Sequence, residues 1–234
     1  MKFIVDSNVF TAIPNACFGI VVAKGIDNTK SNPIIADMLV RNIKSVIERY
    51  ANKSVKEESA ILPYREAFKK VNINPNKYMS SIEAMLTRVS KGKGLPSINP
   101  IVDLGNSLSL KYVLPMGAHD IDQIETDIKI RFSTADDIFT PFGQAESEEM
   151  PENELVYAVG NEIRTRRWIW RQSEIGKITS QSKNIFFPID GFNHTNLEAV
   201  LSARADLSNI CQDVLGCREV QIGLVDANSS EFQL

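Results

Sequence analysis

The stretch RTRRWIWR, residues 164–171, sets four arginines and two tryptophans in eight positions. On one extended strand, Arg164, Arg166, Trp168, Trp170 and Gln172 face one way. Thr165, Arg167, Ile169, Arg171 and Ser173 face the other. The first face joins cations to aromatic planes, so it could stack a base or an amino-acid ring and hold a phosphate or carboxylate. The plainer alternative has the tryptophans covering a core and the arginines lying along its rim. Ser173 and Glu174 follow directly. Either could orient a water, and the carboxylate could select a substrate ammonium or simply pair with Arg171 or Lys177.

A second dense segment is NPIVDLGNSLSLKYVLPMGAHDID, residues 99–122. On a helix, Val102, Asn106 and Leu110 share a face, as do Asp103 and Ser107. Apolar groups around Asn106 predict a buried, hydrogen-bonded amide. Pro115 and Gly117 then force a turn, from which His119 and Asp120 emerge in a loop. His119 is an acid or base candidate near neutral pH, with Asp120 available to orient it, or else an ordinary hydrogen-bonding residue. Arg65 and Arg88, on preceding helices, either add cations above a pocket or brace helix ends. No serine or cysteine stands in a nucleophile motif.

Positioning these groups takes a core, and 43% hydrophobic content in 234 residues supplies one. Acidic side chains number 29 against 26 basic, a net charge of -3. That balance argues against general nucleic-acid binding while leaving room for a local patch. No apolar run reaches membrane-spanning length, and the first residues have no signal-peptide pattern, so the expected compartment is the cytoplasm. Cys17, Cys211 and Cys217 form neither a disulfide framework nor a CxxC pair. With only two histidines to join them, neither zinc nor any other cofactor is expected. GxGxxG, P-loop, HExxH and GxSxG patterns are absent.

The elements read as mixed. Strands are predicted near 3–5, 17–23, 128–132 and 184–190, the last favouring a sheet edge or end because of Pro188. Helices are predicted from Pro33, capped by Asn32, and over 55–70, divided at Pro63. Further helices are predicted over 77–89, from Ile101, and from a Thr195/Glu198 capping box to Gly216. Apolar runs on either side of Gly160-Asn161 predict a hairpin, and CREVQIGLVD a last strand. Strands and helices are segregated without repeats, which is α+β.

The 99–122 segment followed by RRWIWRQSEIGKIT resembles the B3/B4 domain family, found inside the beta subunit of bacterial phenylalanyl-tRNA synthetase and also as free-standing proteins. The resemblance runs from Phe68 to the C-terminus. It implies B3/B4-like mixed sheets with packed helices across residues 1–234, with 1–65 as the N-terminal part of the same unit. In the synthetase this domain hydrolyses tyrosine misattached to phenylalanine tRNA. The resemblance therefore implies a pocket between segments 102–120 and 164–174 and a tRNA or aminoacyl-tRNA partner. Asn106 matches the family asparagine and Asp120 the family aspartate. The editing glutamate carries over to Glu174. Departures are Gly105 for a threonine, Gly117 for the turn histidine, His119 at an aromatic position, and bulky residues where the family has glycines. The implied activity is metal-independent ester hydrolysis acting in trans. In it Asn106 positions water or carbonyl, His119 assists proton transfer, Arg166 or Arg171 holds the terminal phosphate, and Trp168 or Trp170 contacts adenine. The alternatives are tRNA or RNA binding without turnover, hydrolysis or binding of a small amino-acid derivative, and a protein-interaction domain.

Overall fold

Two stretches, ACFGIVVAK and NIFFPIDGF, are apolar at nearly every position, the pattern of strands covered on both faces. In a computed structural model describing residues 1–51, 53–122 and 124–234, they pair antiparallel at the centre of the molecule. The chain runs β1 (Lys2–Val5), α1 (Ser7–Ala12), β2 (Ala16–Lys24), α2 (Pro33–Arg49), a 3-10 turn (Val55–Glu57), α3 (Leu62–Lys70), α4 (Ser81–Ser90) and α5 (Pro100–Tyr112). It continues through β3 (His119–Asp120), β4 (Ile128–Phe132), β5 (Ile138–Phe139), β6 (Glu148–Glu149), β7 (Leu155–Val159), β8 (Glu162–Arg166) and β9 (Arg171–Gln172). It closes with β10 (Asn184–Phe192), α6 (Leu197–Asp213), β11 (Glu219–Val225) and β12 (Glu231–Gln233).

The strands form two sheets. One has the order β11-β2-β10-β3; the other runs β12-β1-β4-β7-β8-β5-β6, with β9 beside β8. The larger sheet is mixed, because β1–β4 and β5–β8 are parallel. The alternation of β2 and β10 divides the core. Val21, Ala23, Ile185, Phe187 and Ile189 meet α5 and α6, while Phe18, Ile20, Val22 and Phe186 meet Phe3, Ile130 and Tyr157 of the larger sheet. The small sheet is thus a middle layer, and β10 presents its even-numbered side chains to the larger sheet. α2 packs outside α5 and α4 through Leu39 and Val46.

The α+β class and the main helices agree with the sequence. Asn32 caps α2, accepting from the N–H groups of Ile34 and Ile35 at 3.1 and 3.3 Å. Several boundaries differ for local reasons. Pro63 lies in the first turn of α3, where its missing N–H is harmless, so it helps begin that helix rather than splitting a longer one. α4 starts at Ser81 because the Ser80 hydroxyl caps it, accepting from Glu83 N. No capping box opens α6: Asn196 precedes it, and its side-chain oxygen accepts from Phe192 N instead. Pro188 is interior to β10, not at its end. Its carbonyl accepts from Gly117 N, so its missing donor faces the irregular 115–118 segment, where no ladder bond is lost.

Candidate functional site

The arginine-tryptophan stretch does not continue as one strand. β8 ends at Arg166, and Arg167 and Trp168 both take left-handed backbone angles, φ 47° and 60°. The chain reverses there, and β9 returns beside β8 with Arg171 opposite Arg166. Non-glycine residues enter this region at a cost of order 1–3 kcal/mol each. The reversal drives Trp168 into the layer between the sheets, where it is 1% exposed.

A buried indole needs an acceptor for its N–H. Trp168 Nε1 donates to Asp190 Oδ1 at 2.7 Å, and Tyr157 OH donates to the same oxygen at 2.7 Å. Asp190 lies on β10, on the face turned to the larger sheet, and is 2% exposed. Burial pushes its carboxyl up to about 7, against the pull of the two hydrogen bonds. Its backbone carbonyl accepts from Tyr64 OH at 2.8 Å, and Asn196 Nδ2 donates to the Tyr64 oxygen at 2.9 Å. Sequence reading missed this group. The available signal was a single acid inside an apolar strand.

Asp190 and Tyr157 line a cavity of about 90 Å³, walled by residues 115–117 and 168–172 with His119 and Pro188. A larger cavity of about 270 Å³ lies against it, sharing Met116, Gly117 and Gln172. Its other walls include Val102, Gly105 and Asn106 of α5, together with Phe142, Lys177 and Ile178. Gln172 Nε2 donates to Ala118 O at 2.8 Å and fixes the shared ridge. A Cβ at Gly117 would stand 3.2 Å from Pro188 Cγ and 3.3 Å from His119 Nε2, so a larger residue would crowd the junction. Phe142, 56% exposed, and Lys177, whose ammonium sits 5.5 Å over the Phe142 ring, flank the larger cavity. Sequence reading gave neither a role.

The segments expected to oppose each other do so, but their residues are distributed differently. Asn106 is a half-buried wall of the larger cavity rather than a buried amide. α5 instead turns Ser107 inward, where Asn42 donates to its hydroxyl at 2.8 Å. His119 is not in a loop: it lies on β3, stacked between Tyr157 and Phe186 at 5.6 and 6.0 Å, and is 3% exposed. Burial, reinforced by the Arg164 charge, depresses its pKa to about 3, so it is neutral and weakly basic at pH 7. Among the described residues its Nδ1 has no partner. Asp120 does not orient it, because neighbours on a strand point apart. Asp120 accepts from the Ser182 hydroxyl and Asp122 N.

Ser173 is fully buried and donates to Thr140 O at 2.9 Å. Glu174 accepts from Gly143 N at 2.8 Å and pairs with Lys177. Those contacts hold its carboxyl below the usual range, and it lines a separate pocket with Asp120 and Arg164. Arg166 is engaged by Glu154 at 2.9 and 3.1 Å and is not free for a phosphate. Arg167 also meets Glu154 and lies over the rings of Tyr78 and Trp170, 3.8 and 4.6 Å away. Trp170 and the exposed Arg171 reach the smaller cavity. Arg65 bonds Glu83 at 2.6 Å and braces α3 against α4, while Arg88 bonds Gly94 O at 2.8 Å; neither lines the two cavities. Among the described residues, no group of three or more His, Cys, Asp or Glu side chains is placed to hold a metal ion, and no helix is long and apolar enough to cross a membrane.

His119 and Asp190 affect stability in opposite directions. His119 falls from 6.5 to about 3, so the folded chain binds fewer protons than the unfolded one in that range, and stability is lost as pH falls through it. Asp190 rises from 3.8 to about 7, so its contribution is present at low pH and lost as pH rises towards 7. The two slopes oppose each other between pH 3.8 and 6.5. His119→Phe removes one of them. Relative to wild type, its unfolding free energy is expected to fall by roughly 1 kcal/mol per unit between about pH 4.5 and 6. Urea melts across that range test this, and parallel curves for the two proteins would refute it.

A model of the B3/4 domain matches residues 63–208 of this chain. The beta subunit of phenylalanine–tRNA ligase from Idiomarina loihiensis is 30% identical over 101 residues, 43% of this chain and 12% of that protein. Among solved structures, an N-terminal fragment of the phenylalanyl-tRNA synthetase beta subunit from Pyrococcus horikoshii aligns with 93% of this chain and 49% of its own, at 12% identity and a TM-score of 0.45. The chain spans less than half the length of either relative.

Proposed function

This chain belongs to the B3/4 domain family, and from that premise we propose that its paired cavities receive the aminoacyl end of a charged tRNA and hydrolyse the ester there. The observation that carries the reading is the cleft itself. Its walls are α5 with residues 115–118 on one side and residues 168–178 on the other, the two segments in which the family resemblance lies. The larger cavity suits the terminal nucleoside. In this reading Phe142 and Trp170 supply aromatic planes for a base, and the exposed Arg171 a cation for a phosphate. In this reading residues 1–234 act as one unit, because β1 and β2 contribute to the two sheets that hold the cleft.

Water attacks the ester carbonyl, the bond to the ribose oxygen breaks, that oxygen takes up one of the water's protons, and the amino acid leaves as a carboxylate, its remaining proton passing to solvent. In this reading the Asn106 amide, which lines the larger cavity, donates to the developing oxyanion. His119 is too weakly basic at pH 7 to take the water proton, and Glu174 is held ionised by Lys177. This reading therefore gives neither a proton-transfer role. Glu174→Gln is expected to leave ester release within about fivefold of wild type, since Glu174 lines neither of the two cavities. A loss of several hundredfold would restore Glu174 as a catalytic residue.

The weak bases also favour a second reading, binding without turnover. A panel of mischarged tRNAs incubated with the full chain decides between them. Release of at least one amino acid supports hydrolysis. Tight binding of charged tRNA without release supports the second reading. Neither release nor binding sinks both.

A further inference from the structure

We propose that the smaller cavity selects a short aminoacyl side chain ending in a hydrogen-bond donor, and that Asp190 is the residue that reads it. The inference rests on the reading that this cleft receives an aminoacyl group. The geometry of Asp190 comes first. A carboxyl group has two oxygens and about four acceptor positions. Tyr157 and Trp168 both occupy Oδ1, and among the described residues nothing donates to Oδ2. Asp190 lines the cavity, so a donor entering there meets an acceptor already stripped of water. Met116, Pro115, Pro188, Ile169 and the ring of Trp168 make much of the wall apolar; Ser81, Thr165, Gln172 and His119 also line it, and Asp190 is its one carboxylate.

Size narrows the occupant. The cavity measures about 90 Å³. An apolar cavity of about 150 Å³ holds benzene in a well-studied case. A branched side chain of a few heavy atoms therefore matches this volume better than a phenol ring does. His119 stacks on Tyr157 and closes one side, and its Nε2 lies 3.3 Å from where a Cβ at Gly117 would stand. Burial pushes the Asp190 carboxyl up to about 7, which agrees with a floor able to meet a hydroxyl or an amine at neutral pH.

Threonine and valine are nearly equal in shape and differ in the hydroxyl. A site built around a polar contact rejects the apolar isostere far more strongly than a greasy pocket rejects a missing methylene. One tRNA charged in turn with threonine, valine and tyrosine is incubated with the full chain. In parallel, the stable 3'-amide analogues of threonyl- and valyl-adenosine are titrated by calorimetry. The threonyl forms are expected to be preferred over the valyl forms by at least about tenfold in both assays, with tyrosine poorest. Asp190→Asn keeps the shape and an acceptor for Tyr157 and Trp168 but turns a donor towards the cavity, so it is expected to erase the preference. Circular dichroism confirms that the variant is folded, and the wild-type comparison stands without it. Equal handling of threonine and valine, or faster release of tyrosine, overturns the proposal even if esters are hydrolysed. Preferential binding of the threonyl analogue without any release sinks hydrolysis but upholds the specificity site. Binding of neither analogue with no release overturns both.

Discussion

Asn106→Ala is expected to slow ester release about 100-fold, the loss typical of removing one oxyanion donor. Its stability is expected to stay within about 0.5 kcal/mol of wild type, as for surface substitutions away from a core. The separation of the two effects follows from placement. Asn106 is on α5, half-buried, with its side chain in the cavity wall, and alanine is the better helix former. A contact made only in the transition state lowers kcat and kcat/KM together, so single-turnover and steady-state rates should fall alike. If KM rises at constant kcat, Asn106 binds the ground state and the oxyanion assignment is wrong. If the variant unfolds with a large loss of stability, its placement on an open wall is wrong as well.

Trp168→Ala is expected to destabilise the fold by about 3–5 kcal/mol, the range for emptying a large aromatic site in a core. Trp168 is packed against Phe68 and Phe192 and donates to Asp190. Alanine would leave both a void and a buried carboxyl short of one donor. Trp168→Phe refills part of the void with a smaller ring while removing the indole N–H, so it separates part of the packing loss from the rest. Its expected loss is about 1–3 kcal/mol. Urea denaturation followed by far-UV circular dichroism measures both variants. A Trp168→Ala protein as stable as wild type would contradict the burial of this ring.

The layout was readable wherever a local rule governs the outcome. The Asn32 cap, the Gly160-Asn161 hairpin and the opposition of the two family-like segments all appear as expected. What failed depended on partners distant in sequence. Alternation cannot anticipate the reversal at Arg167 and Trp168, because burial of the indole, not local propensity, holds two left-handed residues in place. Register against β10 decides that His119 faces the core while Asp120 turns to Ser182. Arg166 was open to a phosphate role because its acid, Glu154, lies 12 residues away, whereas Arg65 takes the bracing role that was one of its two readings. Asp190 stood in plain view in NIFFPIDGF, but only the facing Tyr157 and Trp168 give it meaning.

The shared oxygen of Asp190 has a consequence for how this pocket can change over evolutionary time. One carboxyl group anchors a tryptophan and a tyrosine between two sheets and also forms the floor of a cavity. A substitution there alters ligand preference and core integrity in a single step, and its effect cannot be additive with changes at 157 or 168. Descent towards a new preference is therefore expected to proceed through coupled replacements at these three positions, or from a background with stability to spare. Relatives with a different residue at the position of Asp190 should also differ at the positions of Tyr157 or Trp168.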